Sequence, residues 1–251
     1  MLCKRARVGR ALLLNVSRDL ARRASAEAVG TALLVAIVVG SGIYAQRLSP
    51  GDVGLELLEN ALATGAGLVA LILAFGSVSG AHFNPVVTLA DRLLGGTTTR
   101  ASCWYVAAQV VGGCVGAMVA NLMFSLPAVN VSQHTRSSGA LWLSEFVATF
   151  GLLIVILGVV RAGRAAFAPF AVGAYITAAY WFTSSTSFAN PAVAIGRTLS
   201  DTFAGISPSS VPMFVVMQFA GGLVAVAAGR FWFPNVDADD IVVPHEAADA
   251  T

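Results

Sequence analysis

Charge is what this sequence has least of. Asp, Glu, Lys and Arg make up 11% of its 251 residues, against roughly 25% in an average soluble domain. That shortfall excludes a water-soluble fold of this size and leaves a lipid bilayer as the solvent. Cysteine is scarce too, with three in the chain. Cys103 and Cys114 lie eleven residues apart in one predicted helix, a separation of about 16 Å at 1.5 Å per residue. A disulfide needs Cα atoms within about 7 Å, so these two cannot pair, and no disulfide framework is expected. Nor do the three His and three Cys show any metal-ligand spacing, so the cysteines read as small packing residues. No nucleophile–base pair, metal cluster or phosphate loop appears. Neither an enzyme nor a bound cofactor is expected.

What the chain has instead is long apolar runs, in a sequence that is 57% hydrophobic. Six segments are long enough, or nearly so, for the ~20 residues of a spanning helix: about 25–45, 60–79, 102–124, 140–160, 166–183 and 211–233. The first is too long, and lacks the small-residue cleavage site, for a signal peptide. It reads as a retained span. Ahead of it, residues 1–24 are basic, with Lys4, Arg5, Arg7, Arg10, Arg18, Arg22 and Arg23. A run like this can mark nucleic-acid binding. Its position directly before an apolar span favours a cytoplasmic flank and no nucleic-acid partner. With the N-terminus inside, twelve Lys and Arg fall on the inner side, and Arg47, Arg136 and Arg197 on the outer. This is a positive-inside bias. It predicts a multi-pass protein of the plasma or inner membrane with both termini cytoplasmic. The tail, residues 234–251, is acidic and polar and is expected to be disordered.

The spans repeat. "AEAVGTALLV" from Ala26 resembles "SEFVATFGLL" from Ser144, aligning Glu27, Thr31 and Leu34 with Glu145, Thr149 and Leu152 at an offset of 118. "QVVGGCVGAMVA" from Gln109 resembles "QFAGGLVAVAAG" from Gln218 at an offset of 109. Two Asn-Pro pairs, Asn84-Pro85 and Asn190-Pro191, differ by 106. Each half, 25–124 and 140–233, therefore reads span, span, half-helix, span. Three spans per half is an odd number, so the second half lies upside down relative to the first. The two short helical stretches, about 84–94 and 190–201, then enter from opposite sides and meet near the midplane.

Asn is a strong N-cap residue and Pro is tolerated at the first helical position, so each pair starts a half-helix. A helix that starts in mid-bilayer brings a partial positive charge of ~0.5 e there. Irregular backbone at that depth is tolerated only inside protein or beside a water-filled cavity. Two such ends facing one point repel cations, protons included, while the Asn amides donate hydrogen bonds to a passing neutral solute. Glu27 and Glu145 are the only acidic residues in the predicted spans. A buried carboxylate needs partners. Proton relay is one reading, but the symmetric placement favours each Glu holding a re-entrant loop through backbone N–H groups. The Gly and Ala series in the third and sixth spans fits close helix crossing.

On these motifs, "SGAHFNPVVTLA" and "FANPAVAIGR" with the paired Glu and Gln-Gly segments, the chain resembles the major intrinsic proteins, the aquaporin and aquaglyceroporin family, over about residues 25–233. The resemblance implies an all-α fold of six tilted helices plus two re-entrant half-helices around one pore per subunit. It also implies a homotetramer, with Asn84, Pro85 and Val86 and Asn190, Pro191 and Ala192 at the pore centre. It further implies an outer selectivity filter, which counting from the Asn-Pro pairs puts at Thr64, Ala178, Ser187 and Val193. Water-selective members carry an aromatic, a His and an Arg there. This sequence has none of them at those positions, and its first triplet ends in Val86. A wider, uncharged filter predicts a permissive channel for water and small neutral solutes: glycerol-like polyols, urea, or metalloid acids such as arsenite, the last also suggested by a weaker resemblance to bacterial members associated with arsenic resistance. Arg197, four residues beyond Val193, has two open placements: reaching back over the pore mouth, or pointing into external water. The competing class is an ion-coupled secondary transporter, which also uses inverted repeats and broken helices. It would need more intramembrane charge than Glu27 and Glu145.

Overall fold

The computed structural model describes residues 2–234, with side chains from Ser17 onward. Most of the acidic tail, residues 235–251, lies outside the described residues. Eight α-helices account for most of the described chain: α1 (Leu2–Leu48), α2 (Val53–Ser79), α3 (Pro85–Leu94), α4 (Thr99–Met123), α5 (Gly139–Arg161), α6 (Ala168–Phe182), α7 (Pro191–Gly196) and α8 (Val211–Trp232). Six of them are long and apolar enough to cross a membrane. The remaining two, α3 and α7, are short, and each begins at an Asn-Pro pair.

Helix boundaries follow local chemistry. Asp52, Thr98 and Ser138 each accept a hydrogen bond from a backbone N–H in the first turn of α2, α4 and α5, the usual work of an N-cap. Gly80 and Gly95 end α2 and α3 in the left-handed region, with φ of 84° and 96°, where glycine has no Cβ penalty. Two boundaries differ from the sequence expectation. First, α1 runs without a break through residues 24 and 25, because nothing there is a helix breaker. Second, α2 starts at Val53 rather than near 60, because Asp52 caps it. Glu27 and Glu145 are therefore joined inside long helices by Asp19 of α1 and by Glu56 and Glu59 of α2, a correction to the expectation of two. The α2 pair sits near the helix start, where Glu56 accepts from Gly51 N and Glu59 from Ser49 Oγ.

The two halves pack alike. α1 crosses α4, and α5 crosses α8, as the most extensive helix pairs. At both crossings glycine removes the Cβ that would separate the backbones. A Cβ at Gly112 or Gly116 would collide with the Ala28 or Ala32 carbonyl of α1, and one at Gly221 with the Phe146 carbonyl of α5. α2 and α6 join the halves through Gly65 and Gly173, each against the other's backbone carbonyl. Aliphatic and aromatic side chains such as Leu62, Trp104, Leu122, Phe170, Trp181 and Phe231 remain exposed on the outside, as a lipid-facing surface requires. On the face opposite the start of α1, the connections 124–138 and 197–210 interlock. Asn130 N donates to Leu199 O at 3.0 Å, Ser132 N to Thr198 O at 2.9 Å, and Ser207 N to His134 O at 2.8 Å.

Close crossing of this kind predicts an asymmetric response to added bulk. Gly116→Val wedges α4 away from α1 and should cost about 1–3 kcal/mol, the usual penalty for overpacking. Gly139→Ala, where nothing lies within 4 Å of the new Cβ, should be neutral. Heating purified protein in detergent and scoring the monodisperse fraction by size-exclusion chromatography separates the two. Equal losses would show that the crossing is not close-packed.

Candidate functional site

α3 and α7 start in the middle of the molecule and face one another across it. Asn84 Oδ1 accepts from Val86 N at 2.9 Å, and Asn190 Oδ1 accepts from Ala192 N at 3.0 Å and Val193 N at 3.3 Å. Each side-chain oxygen thus closes its own helix start. Each amide nitrogen crosses to the other half: Asn84 Nδ2 donates to Ala189 O and Asn190 Nδ2 to Phe83 O, both at 2.7 Å. The reciprocal pair ties the two turns together. An amide nitrogen carries two hydrogens, so one on each Asn is left for whatever passes between them.

The approach to each turn is irregular in the same way in both halves. Gly80, Ala81 and Phe83 have φ of 84°, 49° and 49°, and Thr186, Ser187 and Ala189 have 63°, 52° and 48°. Positive φ at a non-glycine residue costs of order 1–3 kcal/mol and persists only where the surroundings impose it. Glu27 and Glu145 impose it. Glu27 Oε1 accepts from Ser79 Oγ at 2.6 Å and His82 N at 3.0 Å, and its Oε2 accepts from Phe83 N and Gln109 Nε2, both at 2.7 Å. Glu145 accepts from Phe188 N at 3.0 Å, Ala189 N at 2.9 Å and Gln218 Nε2 at 2.6 Å. Both carboxylates are fully buried. With four and three donors around them and no exposure to water, both are engaged as loop anchors and lack the water contact of a proton relay.

A cavity runs through this point, lined from both halves. Its walls are mostly aliphatic, with Leu34, Val38, Leu68, Ile72, Leu152, Ile156, Val172 and Ile176. Polar groups come from Thr64, Tyr180, His82, Asn84, Asn190, Ser187 and Arg197, and no carboxylate is among the lining residues. Pro85 and Pro191 occupy the first helical positions, buried beside their Asn residues. Val86 is buried but off the wall: it fills the space left by Gly222, where a Cβ would collide with its side chain. The altered first triplet therefore leaves the passage width untouched. Ala192, its counterpart, lies off the wall as well, with its carbonyl packed against Gly113.

The expected filter is only partly assembled. Thr64, Ser187 and Val193 line the cavity, but Ala178 does not; it is exposed on the outside of α6. Tyr180 stands on the wall instead, with its hydroxyl 3.2 Å from that of Thr64. The physical reason is helical phase. Two residues turn a helix by about 200°, so a count that is off by two selects the opposite face. Val172, Ile176 and Tyr180, spaced by four along α6, formed the signal that could have found it. Arg197 is placed unambiguously: it is buried and on the cavity wall, not in external water. Nearby, Arg136 donates to Gly205 O at 2.9 Å and Phe203 O at 3.3 Å from within the interlocked connections, where burial holds its guanidinium below the ordinary arginine range.

Six apolar helices, two opposed half-helices and a cavity lined by both halves between them define a multi-pass membrane protein that works as a passive channel. The chain belongs to the major intrinsic protein family, whose family model matches residues 15–199. It is 52% identical to the aquaglyceroporin AqpS of Rhizobium meliloti (strain 1021), over 85% of this chain and 91% of that protein. It is 31% identical to aquaporin Z of Bradyrhizobium diazoefficiens, over 80% and 89%. Its fold is similar to the X-ray structure of the aquaglyceroporin from Plasmodium falciparum, with a TM-score of 0.66 at 21% identity, covering 86% of this chain and 98% of that one.

The carboxylate clamps give a stability prediction. Glu145→Ala leaves two backbone N–H groups and the Gln218 amide buried without an acceptor, at about 1 kcal/mol or more each. The melting temperature in detergent should fall by on the order of 6–12 °C. Glu145→Gln, which keeps an acceptor oxygen, should lose less. An unchanged melting temperature in Glu145→Ala would show that the loop holds its shape without the clamp.

Proposed function

We propose that this channel passes small neutral solutes, namely glycerol-like polyols, urea and trihydroxy metalloid acids such as arsenite, together with water. The observation that carries the reading is the wall itself: aliphatic over most of its surface, with one set of polar groups and no carboxylate. A polyol presents carbon on one side and hydroxyls on the other, and such a wall matches both sides at once. Val193 supports the same reading. It puts a short aliphatic side chain on the wall beside Thr64 and Ser187, which leaves room for a solute larger than water. The similarity to an aquaglyceroporin agrees with this substrate class.

In this reading Asn84 and Asn190, set by Pro85 and Pro191, supply the central donors. Thr64, Tyr180, Ser187 and Val193 form the outer constriction. Glu27 and Glu145 support the loops and do not couple transport to ions, since their oxygens are already engaged. The lysine and arginine distribution supports cytoplasmic termini in the plasma or inner membrane, with the basic segment 1–24 and the acidic tail 234–251 flanking a channel domain of residues 25–233. Membership of the major intrinsic protein family supports assembly into a homotetramer.

Proteoliposomes test the reading. Wild type should conduct glycerol, urea and arsenite above empty vesicles, with a flux indifferent to pH gradient and membrane potential. Val193→Arg should cut glycerol and arsenite flux at least about tenfold, equivalent to ~1.4 kcal/mol of barrier, and water flux much less. A wild type that conducts water alone would defeat the proposal.

A further inference from the structure

We infer that this passage selects by size and by charge at two separate levels, and that Arg197 supplies the charge while Val193 sets the width. The inference rests on the neutral-solute reading above. Val193 lies in the first turn of α7, and Arg197 follows four residues later, about 6 Å further toward the opposite face at 1.5 Å per residue. Both line the cavity. Width and charge therefore sit on different turns of the same short segment.

Three observations make Arg197 more than a packed side chain. Its guanidinium carbon lies over the Phe188 ring, 3.4 Å from the centroid, a contact the delocalised group favours. Its Nε donates to Ala204 O, and its two terminal amino groups make no hydrogen bond among the described residues. The ion pairs among the described residues all lie elsewhere, so no carboxylate is in contact with it. Glu145 acts on it only from a distance, with its oxygens taken by Phe188 N, Ala189 N and Gln218. A second guanidinium, that of Arg136, lies 5.3 Å from the same ring. Ser187 Oγ, buried on the same wall, also has no hydrogen-bond partner among the described residues.

A buried cation without a carboxylate in contact is costly unless something completes its hydrogen bonds. Here the contents of the passage do so. Water or a solute hydroxyl accepts from the terminal N–H groups of Arg197 while its apolar side meets Val193 and the aliphatic wall. A cation at the same level meets the Arg197 guanidinium on the wall of a partly dry site, with that of Arg136 off the wall but against the same Phe188 ring. Even at an effective dielectric near 20, one unit charge about 5 Å away slows entry on the order of 100-fold. The channel is thus wide yet closed to cations, because the residue that gates charge does not occupy the narrow turn. Phe188 is the positioning residue that holds the gate in place.

The test is a double dissociation in proteoliposomes. Wild type, Arg197→Gln, Arg197→Lys, Phe188→Leu and Val193→Arg are compared for flux of urea, glycerol and a four-carbon polyol, and for entry of labelled methylammonium at fixed membrane potential. Arg197→Gln should raise methylammonium entry at least about tenfold and leave the polyol cut-off unchanged. Arg197→Lys, which keeps the charge, should exclude the cation as wild type does, and Phe188→Leu should leak to an intermediate degree. Val193→Arg should lower the polyol cut-off and leave cation exclusion intact. If Arg197→Gln does not fold, Phe188→Leu against Arg197→Lys decides the question. Glycerol flux with unchanged cation exclusion in the folded variants overturns this inference alone, as does a joint change of both properties in Val193→Arg. A wild type that passes no glycerol sinks the neutral-solute reading along with it.

Discussion

A backbone that stops in the middle of a bilayer has polar groups that water cannot reach, and everything else in this molecule follows from how those groups are satisfied. In hydrocarbon each unmet N–H or C=O costs several kcal/mol. The approach to each half-helix also bends through left-handed residues that alanine, phenylalanine and serine do not favour. Two carboxylates meet both demands. Glu27 and Glu145 are long enough to reach from a spanning helix into the loop, and their oxygens take several donors at once. The Asn amides then close the remaining gap between the halves. Glycine at the helix crossings is part of the same solution, because only closely packed backbones bring the carboxylates within reach.

Inversion makes the frame symmetric, and function enters where the symmetry fails. The Asn-Pro pairs repeat at 106 residues and the Glu residues at 118. The difference falls largely in the helices, since α2 has 27 residues and α6 has 15. The half-helices differ as well: α3 runs for ten residues, whereas α7 ends after six and tightens into a three-residue 3-10 turn that begins at Arg197. Val86 against Gly222 replaces the tighter approach of Ala192 to Gly113. That first change is absorbed by packing away from the passage. The second delivers a guanidinium to its wall.

Much of this was legible in the sequence because it depends on short-range rules. Span number follows from apolar run length, and the half-helix starts follow from Asn-Pro chemistry. The pairing of Glu27 with Glu145 and of Gln109 with Gln218 follows from internal repetition. What failed was phase and reach. A count carried across the loop between Phe182 and Asn190 chose Ala178, which helical rotation turns to the outside, and passed over Tyr180. The start of α2 was missed because a polar first turn with Glu56 and Glu59 does not look like a membrane span, although Asp52 caps it. No local rule decides whether Arg197 points inward. The answer lies in Phe188, Ala204 and the interlocked connections, which only the fold brings together.

Those connections also explain how a charge survives on the wall of an otherwise apolar passage. An arginine at the narrowest turn would have to serve as donor, plug and charge barrier at once, and any gain in width would weaken the barrier. Placed a turn further out, Arg197 is held from the side by a ring face and by a backbone carbonyl of the segment 203–205, whose other carbonyls hold Arg136. Its desolvation is offset by neutral dipoles and π electrons, with no carboxylate on the passage wall to attract cations. The wall beneath it is left to the smaller side chains of Thr64, Ser187 and Val193 and to the Tyr180 hydroxyl. Loss of the arginine from the narrow turn is therefore no evidence of a pore that has lost its charge selectivity.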